Sequence, residues 1–382
     1  MPFMGTLLRR RCARSCLAAA SAALFACGGG GGDNGGIASP GGTSGTAPSM
    51  PAAPTTPTTP TTPSPTPPPP TPLPTPAPTT PSPPVANPAS FTWRGLAPIA
   101  DGPRQETGVA SLNGEIYVVG GYDERQAIVT DVEVYDPRTN RWRRAAALPT
   151  PLHHVNLAAA RGRLYVVGAL QTAGFTATGV TLEYDPASDR WSPRASMSLG
   201  SERGASAVAT IDDRIYVAGG LRGGTSVSDF SLYDPALDTW QTLANMPTAR
   251  DHLVGAQVNG VFYALAGRNL SGLRGETEAY DPRAATWSVR SPMPTPRGGC
   301  MGAAVSGRII VVGGEGNPAN ANGVFDTSES YDPASNSWTS LAAMRTPRHG
   351  AQAVGLDGVL FVPGGAVRQN FAAVDTFESL GP

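Results

Sequence analysis

One tryptophan recurs about every fifty residues, and this spacing constrains the fold more than any other feature of the chain. The successive intervals are 49, 49, 49, 47 and 51 residues between Trp93, Trp142, Trp191, Trp240, Trp287 and Trp338. A tyrosine that opens the sequence Tyr-Asp-Pro stands seven residues before each of the last five, at Tyr135, Tyr184, Tyr233, Tyr280 and Tyr331. A period of this length with this content predicts a repeat architecture.

Each repeat also contains a short apolar run that ends in small residues. The runs are 116–121, 164–169, 215–220, 262–267, 309–314 and 360–365. Turn-forming pairs such as Asn113-Gly114 and Asp357-Gly358 flank them, so we predict that the runs are buried strands. No stretch shows sustained helical periodicity, and this disfavours an α/β enzyme fold.

The combination resembles the kelch repeat over residues 91–382. In that family Tyr-Val-Val-Gly-Gly, present here at 117–121, ends the second strand of a blade, Tyr-Asp-Pro ends the third, and tryptophan lies in the fourth. The resemblance implies an all-β fold, a six-bladed kelch β-propeller. Residues 377–382 form a third strand with no tryptophan strand after it, and 91–93 form a fourth strand with no third strand before it. We therefore expect the N-terminal strand to complete the last blade.

The first residues of the chain predict export. A cluster of arginines before position 15 precedes a short apolar stretch, and this is typical of a signal peptide, assigned to residues 1–26. The sequence Leu24-Phe25-Ala26-Cys27 resembles the lipobox of bacterial lipoproteins, which implies a lipidated Cys27, with an ordinary secretory signal as the alternative. Gly28 resembles an outer-membrane sorting signal. The expected location is the cell envelope, anchored in the outer membrane, on its periplasmic or surface face.

A linker follows the predicted lipidation site. Residues 27–90 are rich in Gly, Pro and Thr and contain almost nothing apolar to bury, so we predict a disordered stalk. The propeller is then residues 91–382, with the membrane as a partner through the lipid anchor. The formal net charge of the chain is −1, which gives no indication of a nucleic-acid partner.

Charged and imidazole side chains cluster in the loop that leads into each blade. Sixteen residues before the paired-glycine position, the second repeat has Leu152 and the others have arginines: Arg104, Arg203, Arg250, Arg297 and Arg348. All four histidines lie one or two positions further on, at His153, His154, His252 and His349. The kelch resemblance places this loop on the same face as the loop after Gly-Gly. These nine residues are the predicted ligand-binding candidates of the loop face.

Two interpretations of the arginine column stay open. In one, the arginine belongs to the repeat and bonds carbonyls or acids of the adjoining blade. In the other, the arginines form a partly cationic funnel for a carboxylate, sulfate or phosphate, because guanidinium makes bidentate hydrogen bonds to such groups. Four nearby acids would offset part of that positive field: Asp101, Glu106, Glu202 and Asp251.

A metal centre built from the histidines is the sharper alternative, and the sequence disfavours it. His349 is out of phase with His252, and we expect alternate blades to hold their side chains too far apart for bonds of about 2.1 Å. Cys300 lies in the zone from which galactose oxidase, a kelch propeller with a copper radical site, draws its ligands, but no tyrosine accompanies it. We predict no metal and no cofactor, and a buried apolar role for Cys300.

Catalytic motifs are missing from the sequence. It contains no P-loop, no zinc-type Cys-x-x-Cys and no Gly-x-Ser-x-Gly. We therefore predict a non-enzymatic binding or scaffolding module that recognises a glycan, a peptide or an envelope protein through its loop face. The alternative is a carbohydrate-active enzyme resembling the sialic-acid mutarotases, which are exported six-bladed kelch propellers, with Glu106 or Glu202 as the acid.

Overall fold

The structure is a computed structural model that describes residues 90–382. These residues form six four-stranded antiparallel sheets arranged as the blades of a β-propeller, which confirms the predicted fold class. No helix within 90–382 is long and apolar enough to cross a lipid bilayer. The predicted signal peptide, the lipidated Cys27 and the Pro/Thr-rich stalk lie outside the described residues.

The strands of each blade are numbered from the central axis outward, and the blades follow the chain. The first strands are Gly108–Leu112, Leu157–Ala160, Ala207–Ile211, Val254–Val258, Met301–Val305 and Val354–Leu356. The second strands are Glu115–Val119, Arg163–Gln171, Arg214–Ala218, Val261–Leu265, Arg308–Val312 and Val359–Pro363. The third strands are Val132–Asp136, Thr176–Asp185, Phe230–Asp234, Thr277–Asp281, Ser328–Asp332 and Phe377–Gly381. The fourth strands of blades 1 to 6 are Arg141–Ala145, Arg190–Arg194, Thr239–Thr242, Thr286–Arg290, Ser337–Ser340 and Thr92–Gly95.

The loops between second and third strands vary in structure. In blade 3 the loop carries the small hairpin Leu221–Arg222 with Thr225–Ser226, and in blade 4 the hairpin Arg268–Asn269 with Gly272–Leu273. In blade 2 the two strands themselves extend further and pair as far as Gln171 and Thr176. The first strands of neighbouring blades contact one another around the whole ring, blade 6 against blade 1. The loops after the second strands therefore surround one end of the central axis.

The N-terminal strand closes the ring as predicted. Thr92–Gly95 pairs with Phe377–Gly381, and Trp93 is opposite Leu380. The Arg94 guanidinium adds a hydrogen bond of 2.8 Å to the carbonyl of Pro382. Trp93 is buried, with 8% of its surface exposed, so the strand contributes to the core as well as to the sheet.

The six tryptophans form a second circle of contacts, which we call the outer tryptophan ring. Each indole N–H donates to the backbone carbonyl four residues beyond the tryptophan of the preceding blade, at 2.8 or 2.9 Å. Trp93 bonds Ala342, and in the same way Trp142, Trp191, Trp240, Trp287 and Trp338 bond Ala97, Ala146, Ala195, Ala244 and Ser291. Because the bond from Trp93 completes the circle, the N-terminal strand is equivalent to the five fourth strands of the other blades.

The hydrophobic core lies between the blades. Val119 and Val134 of blade 1, for example, belong to one buried cluster with Leu164 and Val166 of blade 2. Strands buried on both faces account for the continuous apolar runs of the sequence, since each second strand packs against a blade on either side. The small residues of the first strands leave space along the axis, where the candidate site is found.

Candidate functional site

The loops leading into the six blades form a closed backbone ring around the central axis, which we call the axial ring. It has one residue from each blade: Glu106, His154, Ala205, His252, Gly299 and Gly350. Each N–H donates to the carbonyl of the ring residue in the preceding blade, and the five bonds from His154 to Gly350 span 2.8–3.1 Å. The bond from Glu106 to Gly350 closes the circle.

The axial ring requires an unusual backbone conformation. All six residues have positive φ, between 49° at His154 and 69° at Gly350. Glycine adopts this region without penalty, whereas other residues are disfavoured there and persist only where the surrounding structure holds them. Gly350 serves a second purpose, because a Cβ at this position would collide with the Glu106 carboxylate. The backbone conformation of the ring is therefore the same in all six blades, whereas the side chains differ.

Three of its side chains converge at the centre. His154 Nε2 lies 2.9 Å from His252 Nε2 and 3.1 Å from Glu106 Oε2. His154 and His252 come from alternate blades, so the expectation that such blades hold their side chains too far apart is wrong for this pair. The left-handed backbone explains why the expectation fails, since the side chain of a residue with positive φ points in a different direction from that of a residue in an extended strand. His252 and His349 are out of phase, as expected. His252 is itself a residue of the axial ring, whereas His349 lies one position before the ring residue Gly350.

Hydrogen bonds limit where the protons of the two ring histidines lie. His153 Nε2 is 3.1 Å from both Thr172 O and the Tyr122 hydroxyl, so it can donate to the carbonyl or accept from the hydroxyl. His153 Nδ1 and His154 Nδ1 are 2.6 Å apart, and His154 donates there when His153 donates to Thr172. On the other side His252 Nδ1 donates to Asp251 Oδ1 at 2.5 Å. Neutral His252 therefore directs an unprotonated Nε2 atom toward the centre, and His154 does so in the tautomer that donates through Nδ1.

Burial also keeps two of the imidazoles neutral. It lowers the pKa of His153 to about 4, against the opposing effect of its hydrogen bond to Thr172. Burial, reinforced by the neighbouring imidazoles of His252 and His153 and by the charge of Arg268, holds the pKa of His154 well below its usual range. At neutral pH both side chains are consequently uncharged.

Charged side chains from the loops after the second strands cover the axial ring. Arg268 of blade 4 pairs with Glu315 of blade 5 at 2.5 Å and with Asp251 at 3.3 Å. Burial would raise the pKa of Asp251, but hydrogen bonds from His252 and Ser226 and the charge of Arg268 bring it below its ordinary value. Burial would likewise raise the pKa of Glu315, but electrostatic interactions with His349 and Arg268 hold it below its ordinary value. Both acids are therefore ionised in a nearly dry setting.

The axial ring separates two cavities. The inner one, about 110 Å³, runs between the first strands, and the outer one, about 60 Å³, lies among Phe175, Arg268, Glu315 and the loop residue Phe371. Glu106, His154 and His252 line both. Since a single water needs about 10–15 Å³ measured in this way, each cavity has room for several waters or an ion with its solvent ligands.

The predicted arginines lie inside the blades. Arg203, Arg250, Arg297 and Arg348 have no exposed surface, and Arg104 has 4%. Arg348 is typical, with 2.8 Å bonds to the carbonyls of Gly364 and Val362 and an ion pair of 2.5 Å to Glu378 on the third strand. This geometry favours the interpretation in which the arginine belongs to the repeat over the cationic funnel.

Blade 2, which lacks the arginine, supports the same interpretation. It has Leu152 where the other blades have arginine, and it has Leu182 at the third-strand position that holds Glu378 in blade 6. Both leucines belong to one buried apolar cluster. Arginine and glutamate are thus replaced together by an apolar pair that needs no compensating charge.

A groove opens on the loop face between the loops of blades 5 and 6, beside the outer cavity. It measures about 570 Å³ and is lined by 317–318, 320–323 and 368–371. The two loops are joined by a hydrogen bond of 2.8 Å from Gln369 N to Asn322 O. The side chains of Asn322, Arg368, Gln369 and Asn370 face solvent, and Phe371 is half-buried beside them.

The structure therefore assembles the predicted residues in two separate groups. The histidines lie at or beside the axial ring, and the arginines lie within the blades. Sequence reasoning gave Glu106 only as a possible acid, and it missed Arg268 and Glu315. The sequence did contain a signal for both. Each is a charged residue directly after the paired-glycine position, where blades 2 and 3 have Leu170 and Leu221. Glu202 lies apart and accepts a hydrogen bond of 2.8 Å from Gly200 N.

Comparisons with known proteins agree with this architecture. Residues 103–149 match the family model of the Kelch motif, and residues 201–365 match that of the KLHDC2/KLHL20/DRC7 Kelch-repeats domain. Kelch-like protein terF of Aspergillus terreus is 34% identical over 282 residues, which cover 69% of this chain and 61% of that protein. Kelch-like protein 35 of Mus musculus is 35% identical over 130 residues, 34% of this chain and 22% of that protein. The chain thus spans less than two thirds of the length of these relatives.

The fold is also found among solved structures. The structure of YjhT superimposes with a TM-score of 0.61 over 72% of this chain and 94% of that one. The sequence identity is 16%, so the likeness concerns the arrangement of the strands.

Proposed function

This chain is a kelch-repeat protein, and we propose that its propeller is a binding module whose loop face recognises a hydroxyl-rich ligand, a glycan, at the bacterial cell envelope. One observation carries the proposal: the groove between the loops of blades 5 and 6 presents several amides and one aromatic side chain to solvent. Amides donate and accept at once, as sugar hydroxyls do, and an aromatic ring offers an apolar face.

The groove is also preformed. Gln105 fixes the loop of blade 6 by donating to Asn370 O at 2.8 Å and accepting from Ala372 N at 3.0 Å. The loop of blade 5 is in turn bonded to that of blade 6 through Asn322. A preformed groove reduces the entropy lost on binding, which supports recognition by few polar contacts.

A glycan and cell-wall-fragment binding screen on the full chain tests the proposal. The variant Asn322→Ala/Gln369→Ala removes two solvent-facing amides, and we expect it to weaken binding of a screened ligand about tenfold, as two lost hydrogen bonds would. Gln241→Ala, an exposed amide on the fourth strand of blade 3, is the matched control. Equal binding by both variants, or no glycan bound by the parent protein, would contradict the groove as a glycan site.

Attachment to the envelope is a separate part of the proposal. It rests on the lipobox-like sequence at Cys27, which lies outside the described residues. Two or three acyl chains would hold the protein stably, since each buried methylene contributes about 0.8 kcal/mol. We expect Cys27→Ser to shift the protein from the membrane fraction to the soluble fraction of the cell. A variant that stays with the membranes would show that another part of the chain is the anchor.

A carbohydrate-active enzyme is the second candidate, and one observation favours it: the Glu106 carboxylate lies 3.1 Å from His154 Nε2 beside the axial cavity. A carboxyl group next to a neutral imidazole is suited to proton transfer. Exchange between the anomers of sialic acid, followed by NMR with the full chain, tests this role. Acceleration that Glu106→Gln abolishes would favour the enzyme, and a rate equal to that in buffer would contradict it.

A further inference from the structure

We propose that Glu106, His154 and His252 bind one divalent transition-metal ion, zinc or a similar cation, at the centre of the axial ring. This inference is independent of the glycan groove, because it concerns atoms at the propeller axis. It revises the sequence-based prediction of no metal.

The spacing of the three ligand atoms fits a common ion. Two atoms that each bond a metal at about 2.1 Å, at tetrahedral to octahedral angles, lie roughly 3.0–3.4 Å apart. His154 Nε2 is 3.1 Å from Glu106 Oε2 and 2.9 Å from His252 Nε2. All three atoms lie within 4.8 Å of one another. Adjustments of the side chains that bring Glu106 and His252 to this spacing would place one ion within bonding distance of all three.

The hydrogen bonds at the Nδ1 atoms suit a cation at the centre. His252 uses Nδ1 as a donor to Asp251, and His154 does so toward His153 in one of its two tautomers, so that both Nε2 lone pairs face the Glu106 carboxylate. Three acceptors that converge in this way repel, and a metal ion converts that repulsion into three bonds. In known sites the ligating imidazole likewise donates its other N–H to a carboxylate or another acceptor, which fixes the ring orientation. Asp251 does this for His252, and His153 is the acceptor for His154 when His154 donates through Nδ1.

Arg268 does not fill this role. Its Nη2 lies 3.2 Å from His252 Nε2 and 3.5 Å from His252 Nδ1. One atom can be that close to both ring nitrogens only from above the ring face, where it does not meet the lone pair in the ring plane. Its charge is also engaged by Glu315 and Asp251.

The charge of the cluster has the sign that a cation needs. Glu106, Asp251 and Glu315 are three carboxylates, and Arg268 is the guanidinium that pairs with two of them. These three acids and one guanidinium have two negative charges in excess, and the acids expose only 4–11% of their side chains. Uncompensated buried charge is costly, and one divalent ion balances it.

Two histidines and one carboxylate leave a coordination position free. This donor set suits zinc and ferrous iron, with water or a substrate in the remaining position. Because the same three residues line both axial cavities, that position opens on space for a water molecule or a small anionic oxygen ligand.

The test uses the full chain without a polyhistidine tag, stripped with a chelator and titrated with Zn²⁺ against a chromophoric chelator. We expect one equivalent to bind, and His154→Ala and His252→Ala each to weaken binding by more than about 100-fold. Asp251→Asn, which alters only the partner of a ligand, should weaken it by about 10- to 100-fold. His349→Gln is the matched control, because His349 is buried near the site without belonging to it, and its zinc affinity should be unchanged.

Two further measurements separate loss of the site from loss of the fold. Glu106→Gln keeps the size of the side chain, and circular dichroism should show it folded while zinc no longer raises its melting temperature. Co²⁺ bound to the parent protein should show visible absorption bands that this variant lacks. Absence of a one-to-one zinc complex in the parent protein, or unchanged affinity in His154→Ala and His252→Ala, would overturn the proposal.

Discussion

The outer tryptophan ring and the axial ring are both closed circles of six hydrogen bonds, one per blade, but they differ in what repeats. In the outer ring the same side chain makes the same bond six times, from Trp93 through Trp338. In the axial ring the backbone bond and the positive φ repeat, while the side chains are Glu, His, Ala, His, Gly and Gly. The propeller thus fixes a symmetric frame at its rim and leaves the centre free to vary.

This difference separates structural from functional positions without any comparison of sequences. Where a side chain recurs in every blade, the fold itself requires it, as the tryptophans show, and the buried arginines recur in five of the six blades. Where only the backbone recurs, the side chains are free to serve a site, and the ring places Glu106, His154 and His252 together. Substitutions at the two kinds of position should therefore change the stability of the protein to different degrees.

The largest effect should come from the outer ring. Trp93→Ala removes a buried indole and its bond to Ala342, and truncation of such a side chain costs about 3–5 kcal/mol. Against a typical domain stability of about 5–15 kcal/mol, the loss is severe. Urea denaturation should show a similar decrease for Trp191→Ala. If Trp93→Ala leaves the midpoint unchanged while Trp191→Ala lowers it, the N-terminal strand does not stabilise the ring.

Substitution of a buried arginine should lower the stability almost as much, and a second substitution should restore most of the loss. Arg348→Leu leaves Glu378 buried without its partner, which costs about 3–5 kcal/mol. Adding Glu378→Leu should recover most of that loss, because the double variant reproduces the apolar pair Leu152 and Leu182 of blade 2. Denaturation midpoints of both variants measure the recovery. A double variant no more stable than Arg348→Leu would show that the blade needs the ion pair itself.

The stability of blade 1 should depend on pH. Arg104 pairs with Asp131 at 2.7 Å, so within residues 90–382 Glu133, which occupies the position of Glu378, has no ion pair of its own. Burial raises the pKa of Glu133 to about 7, against the opposing hydrogen bond from Asp101 N. A carboxyl group with a raised folded-state pKa contributes stability at low pH that is lost as pH rises through about 7.

Glu133→Gln measures this contribution, because it keeps the acceptor for Asp101 N and removes the charge. Relative to the variant, the parent protein should lose about 3 kcal/mol of stability between pH 4.5 and pH 8. Chemical denaturation at both pH values gives the difference. A constant difference between the two proteins over this range would show that Glu133 does not titrate there.

The smallest effect should come from the axial ring. Ala205 has φ 53° and no part in the side-chain cluster, so Ala205→Gly relieves a disfavoured conformation. The gain competes with the greater flexibility of glycine in the unfolded chain, and we expect a change below about 1 kcal/mol. Thermal unfolding of the variant measures it. A loss of several degrees would show that the Ala205 side chain is itself needed at the centre.

The sequence predicted the repeated blades and their closure, but it did not predict which side chains come together at the central axis. The six blades and their closure followed from the spacing of the tryptophans and from the unmatched strands at 91–93 and 377–382. The meeting of His154 and His252 did not, because strand alternation describes neighbours within a blade and the axial residues are left-handed. Arg268 and Glu315 were within reach, since each is a charged residue next to the paired-glycine position.

The closure of blade 6 also sets the order in which the propeller can be assembled. Arg94 and Pro382, which are hydrogen-bonded across the seam, are 288 residues apart in the chain. A chain that emerges amino end first presents Thr92–Gly95 long before its partner Phe377–Gly381 exists. Contacts of such sequence separation slow folding, and an unpaired strand edge invites pairing with other chains. The ring can therefore close only after Phe377–Gly381 has been synthesised.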